Sequence, residues 1–255
     1  MANEESVLIT GGGSGMGQLA ARNMAAAGYN VAAVDVNEKG LLETAEDHQN
    51  IRTFNADVTD YAAISDIVDE TEQKLGPIKR VYNAAAIMPL GKVVDQDVEV
   101  FHRVMDINYN GVVNVSKAVL PRMLERNSGE LVNFASLAGW VPILYMAAYN
   151  ASKFAVVAFT EVLHHEHRDS NVKIVCVCPP PVKTPLLDQA RDTVWPKVFD
   201  QGEHITPDDV LKAIDDTISK DELLVFPGKG TRFAQRLRRW APQMLWKNVH
   251  DTEGF

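Results

Sequence analysis

Val7-Leu8-Ile9-Thr10-Gly11-Gly12-Gly13-Ser14-Gly15-Met16-Gly17 is the first patterned stretch of the chain. Three consecutive apolar residues suit a strand buried on both faces. The glycines that follow carry no Cβ, so the backbone can turn sharply and approach a ligand. Gln18 to Ala27 is alanine-rich and stops at Gly28, the signature of a helix and its C-terminal end. A strand feeding a helix through such a turn leaves N–H groups and a partial positive charge facing outward, a seat for phosphate. The spacing Gly-x-Gly-x-x-Gly is absent, because Met16 stands where its third glycine would fall. The pattern present is Thr10-Gly11-x-x-x-Gly15-x-Gly17.

Working outward, apolar strands and helical stretches alternate. Residues 30–34 form a strand closing on Asp35, 38–48 a helix, 51–54 a strand and 61–75 a helix ending at Gly76-Pro77. Val81-Tyr82 enters the next strand. Residues 97–127 read as one long helical stretch that Pro121 kinks or breaks. Strand 130–135, helix 149–168 and strand 172–178 follow. A helix over 207–219 is capped by Thr206, a last strand covers 223–226, and 231–247 forms a basic helical tail. Residues 187–206 give no clear pattern. Strands alternating with helices imply parallel pairing and right-handed crossovers. The expectation is an α/β, single-domain, Rossmann-like doubly wound parallel sheet of about seven strands, with helices on both faces. Residues 1–228 would form that body and 229–255 a basic amphipathic extension packed on it or on a neighbouring subunit.

Charge excludes one broad class. A net charge of −9 disfavours general nucleic-acid binding. No apolar run reaches membrane-spanning length. The opening residues are polar and acidic, unlike a signal peptide, and the only two cysteines, Cys176 and Cys178, are too few for a disulfide framework. A cytoplasmic setting is expected. The two cysteines alternate in an apolar run, which puts both on one face of a strand.

Two residue patterns carry chemistry. Asp35 lies 20 residues beyond Gly15, at the end of the second strand. A carboxylate there can accept from ribose hydroxyls and repels a 2′-phosphate, and neither Val36 nor Asn37 beside it is basic. NAD is therefore favoured over NADP. The alternative for Asp35 is a cap of the 38–48 helix. The second pattern is Tyr149-Asn150-Ala151-Ser152-Lys153. A tyrosine and a lysine four apart share a helix face. A nearby ammonium favours the phenolate, so Lys153 is expected to lower the Tyr149 pKa and make the pair a proton-transfer device near pH 7.

These pieces together resemble the short-chain dehydrogenase/reductase family over roughly residues 7–227. The Thr10–Gly17 pattern matches. Asp57-Val58 resembles the family's adenine-contacting pair. Asn83-Ala84-Ala85-Ala86 stands where the family has Asn-Asn-Ala-Gly, and Pro180 replaces the glycine of the Pro-Gly-x-x-x-Thr nicotinamide loop. The resemblance implies a catalytic set of Asn108, Ser136, Tyr149 and Lys153. Tyr149 would exchange the substrate proton, Lys153 would also hold the ribose, Ser136 would bind the substrate oxygen, and Asn108 would position a water and Lys153 in a relay. Cofactor contacts are implied at Gly11, Ser14, Gly15, Met16, Gly17, Asp35, Val36, Asp57, Val58, Asn83, Ala84, Ala85, Tyr149, Lys153, Pro179, Val182 and Thr184. Local readings also exist: Ser136 as a strand-end cap and Asn108 as a helix-interior residue satisfied by backbone.

The resulting expectation is an NAD-dependent enzyme that interconverts a secondary alcohol and a ketone without a metal. Alternatives on the same fold are a weakly catalytic NAD(H) sensor and an epimerase or dehydratase. Tyr145 and Met146, beside the apolar residues 140–144, are expected to line a pocket for a lipophilic or aromatic substrate, with Leu186 and Trp195. Residues 186–206, carrying Trp195 and Phe199, would form a lid. The resemblance implies a homodimer or homotetramer through helices 97–127 and 149–168. Residues 229–247 hold six basic and no acidic side chains among aromatic and aliphatic ones. Docking of this tail on protein is the favoured reading, and peripheral contact with an anionic membrane the lesser one.

Overall fold

The structure is a computed structural model and describes residues 4–188, 194–201 and 204–254. Seven strands form one parallel sheet. They are β1 (Ser6–Thr10), β2 (Asn30–Asp35), β3 (Ile51–Asn55), β4 (Ile78–Asn83), β5 (Gly129–Phe134), β6 (Val172–Val177) and β7 (Leu224–Val225), in the order β3-β2-β1-β4-β5-β6-β7. Connecting helices are α1 (Gly15–Ala26), α2 (Glu38–Ala45), α3 (Tyr61–Leu75), α4 (Val98–Met105), α5 (Gly111–Glu125), α6 (Ala147–Glu166), α7 (Pro185–Asp188) and α8 (Pro207–Ser219). The chain order reverses between β1 and β4, which opens a crevice at the carboxyl ends of those strands.

The strand pattern explains the two-sided packing. Val7, Ile9, Val31, Ala33 and Val175 face one layer with Ala20, Ala21, Val210 and Ile214 of α1 and α8. Their neighbours Leu8, Ala32, Val34, Leu131 and Ile174 face the other, with Ile64 and Val68 of α3 and Val115, Val119 and Met123 of α5. Each such aliphatic side chain taken from water contributes about 1.5–3 kcal/mol, and both faces of every central strand do so. Cys176 and Cys178 share a face as expected, buried with Sγ atoms 3.9 Å apart.

Two boundaries differ from the sequence expectation. Pro121 lies inside α5 without ending it. Its ring faces solvent, while Val115, Val119 and Met123 hold the inner face. The break in the 97–127 stretch comes earlier, as a π turn over Asp106–Asn110 between α4 and α5. The tail runs to Glu253, past the expected 247, as two helices, α9 (Thr231–Trp240) and α10 (Pro242–Glu253), divided at Pro242, which was expected to interrupt it and here starts a new first turn. Leu245 and Val249 of α10 pack on Val141, with Leu137, Trp140 and Leu144 around them.

Candidate active site

The glycine turn is shaped by contact. A Cβ on Gly17 would sit 2.1 Å from the Gly11 carbonyl oxygen, and Gly11 itself has φ of 69° and lies against Ala84 and Ala85. The turn can therefore close only without side chains at these positions. Ser14 is the N-cap of α1, yet its side chain makes no capping hydrogen bond. The first-turn N–H groups are left to an external anion. The donor set and the room a Cβ would fill fit a nucleotide pyrophosphate.

Asp35 ends β2 beside this turn. Its Oδ2 accepts from the Gly13 N–H and its Oδ1 from the Asn37 N–H, both at 2.9 Å. Asn37, not Asp35, caps α2, with its side chain accepting from Gly40 N–H at 3.1 Å. The capping alternative for Asp35 is thus removed. Asp35 lines a groove of about 470 Å³ together with Gly11, Ser14, Gly15, Met16, Gly17, Val36, Asp57, Val58, Ala84, Ala85 and Thr184. Asn83 lies elsewhere. It is buried, and its Nδ2 donates to Asn133 Oδ1 at 2.8 Å, tying β4 to β5 inside the sheet. Asn83 thus supports the central sheet and is not among the residues that line the groove.

An adjoining apolar cavity is lined by Ser136, Tyr149 and Lys153 and by Pro179, Val182 and Thr184, the last of which also lines the groove. Tyr149 sits in the first turn of α6 and Lys153 one turn on, the same face. Ser136 caps a short 3-10 turn over Leu137–Gly139; its Oγ accepts from Ala138 N–H at 3.1 Å. A Cβ on Gly139 would stand 2.7 Å from the Lys153 carbonyl oxygen, so glycine lets this turn press against α6. Ser136 thereby stands close enough to Tyr149 to act on its phenol. Its capping role and its place beside Tyr149 coexist.

Electrostatics here depart from the sequence expectation. Burial pushes the Tyr149 phenol up to about 12, and the Ser136 hydrogen bond opposes that shift. Burial also brings the Lys153 ammonium down to about 8. Lys153 is 2% exposed, donates to the Phe134 carbonyl at 2.8 Å and stands 5.6 Å from the centre of the Tyr149 ring. Desolvation of the phenolate dominates, so the Tyr149 phenol lies above its ordinary value and not, as expected, below it. The N-terminal end of α6, where Tyr149 lies, favours the anion and adds to the Ser136 contribution.

Asn108 lies in the π turn, fully buried. Its Oδ1 accepts from Ile87 N–H at 2.8 Å, and its Nδ2 donates to the Ile87 carbonyl at 3.0 Å and to Ser152 Oγ at 3.1 Å. Both amide hydrogens are spent on fixing the segment after β4 to α6.

The family profile described as short chain dehydrogenase matches residues 5–195. The chain belongs to the short-chain dehydrogenase family. Among its relatives, 2-(S)-hydroxypropyl-CoM dehydrogenase 3 of Xanthobacter autotrophicus is 35% identical over 225 residues, which cover 82% of this chain and 88% of that one. A family structure from Burkholderia phymatum in complex with NAD superposes with a TM-score of 0.84 at 25% identity, covering 95% of each chain. A variant actinorhodin polyketide ketoreductase with NADPH gives 0.81 at 28% identity, covering 90% of this chain and 99% of that one.

Within this short-chain dehydrogenase, two of the four expected pocket residues line the cavity. Met146 and Leu186 do. Tyr145 does not: its backbone is left-handed, with φ of 66°, and its carbonyl accepts from Gly91 N–H at 2.9 Å. Trp195 packs edge-on against Phe199, its Nε1 donating to Asp200, and only Phe199 reaches the cavity. Part of the expected lid, residues 189–193 and 202–203, lies outside the described residues. Met88, Phe134, Leu187 and, in the groove, Arg103 and Ile107 line the site without having been expected. Arg103 and Ile107 stand within one turn or so of Asn108; their sequence proximity to it was the available signal.

Proposed function

We propose that this protein is an NAD-dependent oxidoreductase that interconverts a secondary alcohol and a ketone on a lipophilic or aromatic small molecule. The observation that carries the reading is the meeting of Ser136, Tyr149 and Lys153 where the apolar cavity adjoins the glycine-turn groove. Gly11 to Gly17 would hold the pyrophosphate, and Asp35 the adenosine ribose, its charge rejecting a 2′-phosphate. Asp57 and Val58 border the groove where the adenine would lie. The bound nicotinamide supplies the hydride acceptor or donor.

The chain's own groups supply the rest. Tyr149 takes the hydroxyl proton in oxidation and returns it in reduction. Lys153 holds its position through Phe134 and presents a positive charge near the phenol. The positive charge of an oxidised nicotinamide would favour the Tyr149 anion. Ser136 donates to the substrate oxygen as charge develops there. The Asn108 side chain is engaged by Ile87 and Ser152, so its share in a relay falls to its main chain.

The cavity lining is overwhelmingly aliphatic, which favours a lipophilic substrate. The cavity is about 90 Å³, and Leu186, Leu187 and Phe199 form part of its wall, where a bulky ketone would meet them. Exposed Val98, Phe154 and Val162 on α4 and α6 support pairing of subunits through these helices. Steady-state NADH formation with a panel of secondary alcohols tests the proposal. Turnover of none of them, or with NADP alone, would remove it.

A further inference from the structure

The inner face of the tail is committed to the body. Leu245 and Val249 pack on Val141, Val198 N–H donates to Glu253 Oε1 at 3.1 Å, and Gln201 Nε2 donates to Thr252 Oγ1 at 2.8 Å. The outer face is not. Phe233, Trp240 and Met244 are 68%, 80% and 66% exposed. Phe233 and Trp240 lie seven residues apart on α9, so they share a face, and Arg236 falls between them on that face. Arg239 stacks on the Trp240 ring at 5.8 Å. Among the described residues, Lys229, Arg236, Arg238, Arg239 and Lys247 form no ion pair.

From this arrangement we infer that α9 and the first turn of α10 dock on an anionic phospholipid surface. The residue types match that medium: tryptophan and phenylalanine at headgroup depth, with arginines beside them for lipid phosphates. Charge fixes the orientation. Residues 1–228 carry −13 and are repelled by an anionic bilayer, whereas residues 229–255 carry +4. No helix of the described residues is long and apolar enough to cross a membrane, so the contact is one of lying on the surface. The inner face of α10 holds the 197–201 segment, whose Phe199 walls the apolar cavity. Docking thus sets the cavity wall close to the bilayer, where lipophilic molecules concentrate. The docking itself does not depend on the redox reading, and its assay needs no turnover.

The test is co-sedimentation of the full chain with phosphatidylcholine vesicles, with and without phosphatidylserine. Binding is expected only with phosphatidylserine at low salt, is lost at high salt, and is accompanied by a blue shift of tryptophan emission. Phe233→Ala/Trp240→Ala and Arg236→Glu/Arg239→Glu should each weaken binding at least about tenfold. Both pairs are surface changes, so the melting temperature should stay at its wild-type value. Failure to sediment with phosphatidylserine vesicles at low salt overturns the inference, as does undiminished binding of the Phe233/Trp240 variant. A change in subunit number of that variant by light scattering also overturns it, since the stripe would then be a contact between copies.

Discussion

Tyr149 is where burial and function pull apart. Burial holds the phenol at about 12, a poor base near neutrality, so a proton-transfer role for it would need a positive charge beside it, such as an oxidised nicotinamide. Tyr149→Phe should lower kcat by about 10²–10⁴-fold, while NADH affinity, measured by fluorescence titration, stays close to wild type. Lys153 offers a test by stability. Its folded value, about 8, is below its unfolded one, so between pH 8 and 10 the unfolded chain binds the extra proton. Stability attributable to Lys153 therefore rises with pH over that window. Wild type measured against Lys153→Met should gain up to about 2 kcal/mol from pH 8 to pH 10 in urea melts. A flat difference would mean the ammonium is better solvated than its burial implies. Asp35→Asn keeps the oxygen that receives an N–H but removes the charge. The ratio of NADPH to NADH dissociation constants should fall at least about tenfold.

At the level of elements, what could be read from the sequence was whatever depends on near neighbours. The glycine turn, the strand alternation and the Thr206 cap are local. Thr206 Oγ1 accepts from Asp209 N–H while the Asp209 carboxylate accepts from the Thr206 N–H, a reciprocal cap at the start of α8. Thr206→Ala should cost about 1 kcal/mol in denaturant unfolding without changing cofactor affinity. The π turn was not legible, because one extra residue per turn leaves an apolar pattern almost unchanged. Pro121 was misread for the converse reason. Its rule is local, and packing of the inner face of α5 overrides it. Met88 and Phe134 escaped because they come from segments far from Tyr149 in the chain, whereas Phe199, expected in the lid, does wall the cavity. Tyr145 and Trp195 were placed by proximity to Tyr149 or to the lid, which fixes neither side-chain direction.

For the molecule as a whole, the groove joins the two halves of the sheet. A ligand that binds only the folded groove stabilises it by about 2.7 kcal/mol at one hundred times its dissociation constant. For a chain of this size that is a rise in Tm of roughly 5–10 °C with NADH, readable by differential scanning fluorimetry. NADPH at equal concentration should give a smaller rise. The order β3-β2-β1-β4-β5-β6-β7 carries a further consequence for biosynthesis. The glycines of the turn and Asp35 leave the ribosome first, but Ala84 and Ala85 of the same groove come later, and Thr184 later still. A nascent chain halted after β3 owns half a cradle and nothing to close it. Cellular nucleotide can then protect the completed polypeptide from degradation yet offers no rescue to truncated products. All four tryptophans lie beyond β5, so intrinsic emission during refolding reports the late-made half, and nucleotide capture marks the moment both halves have met.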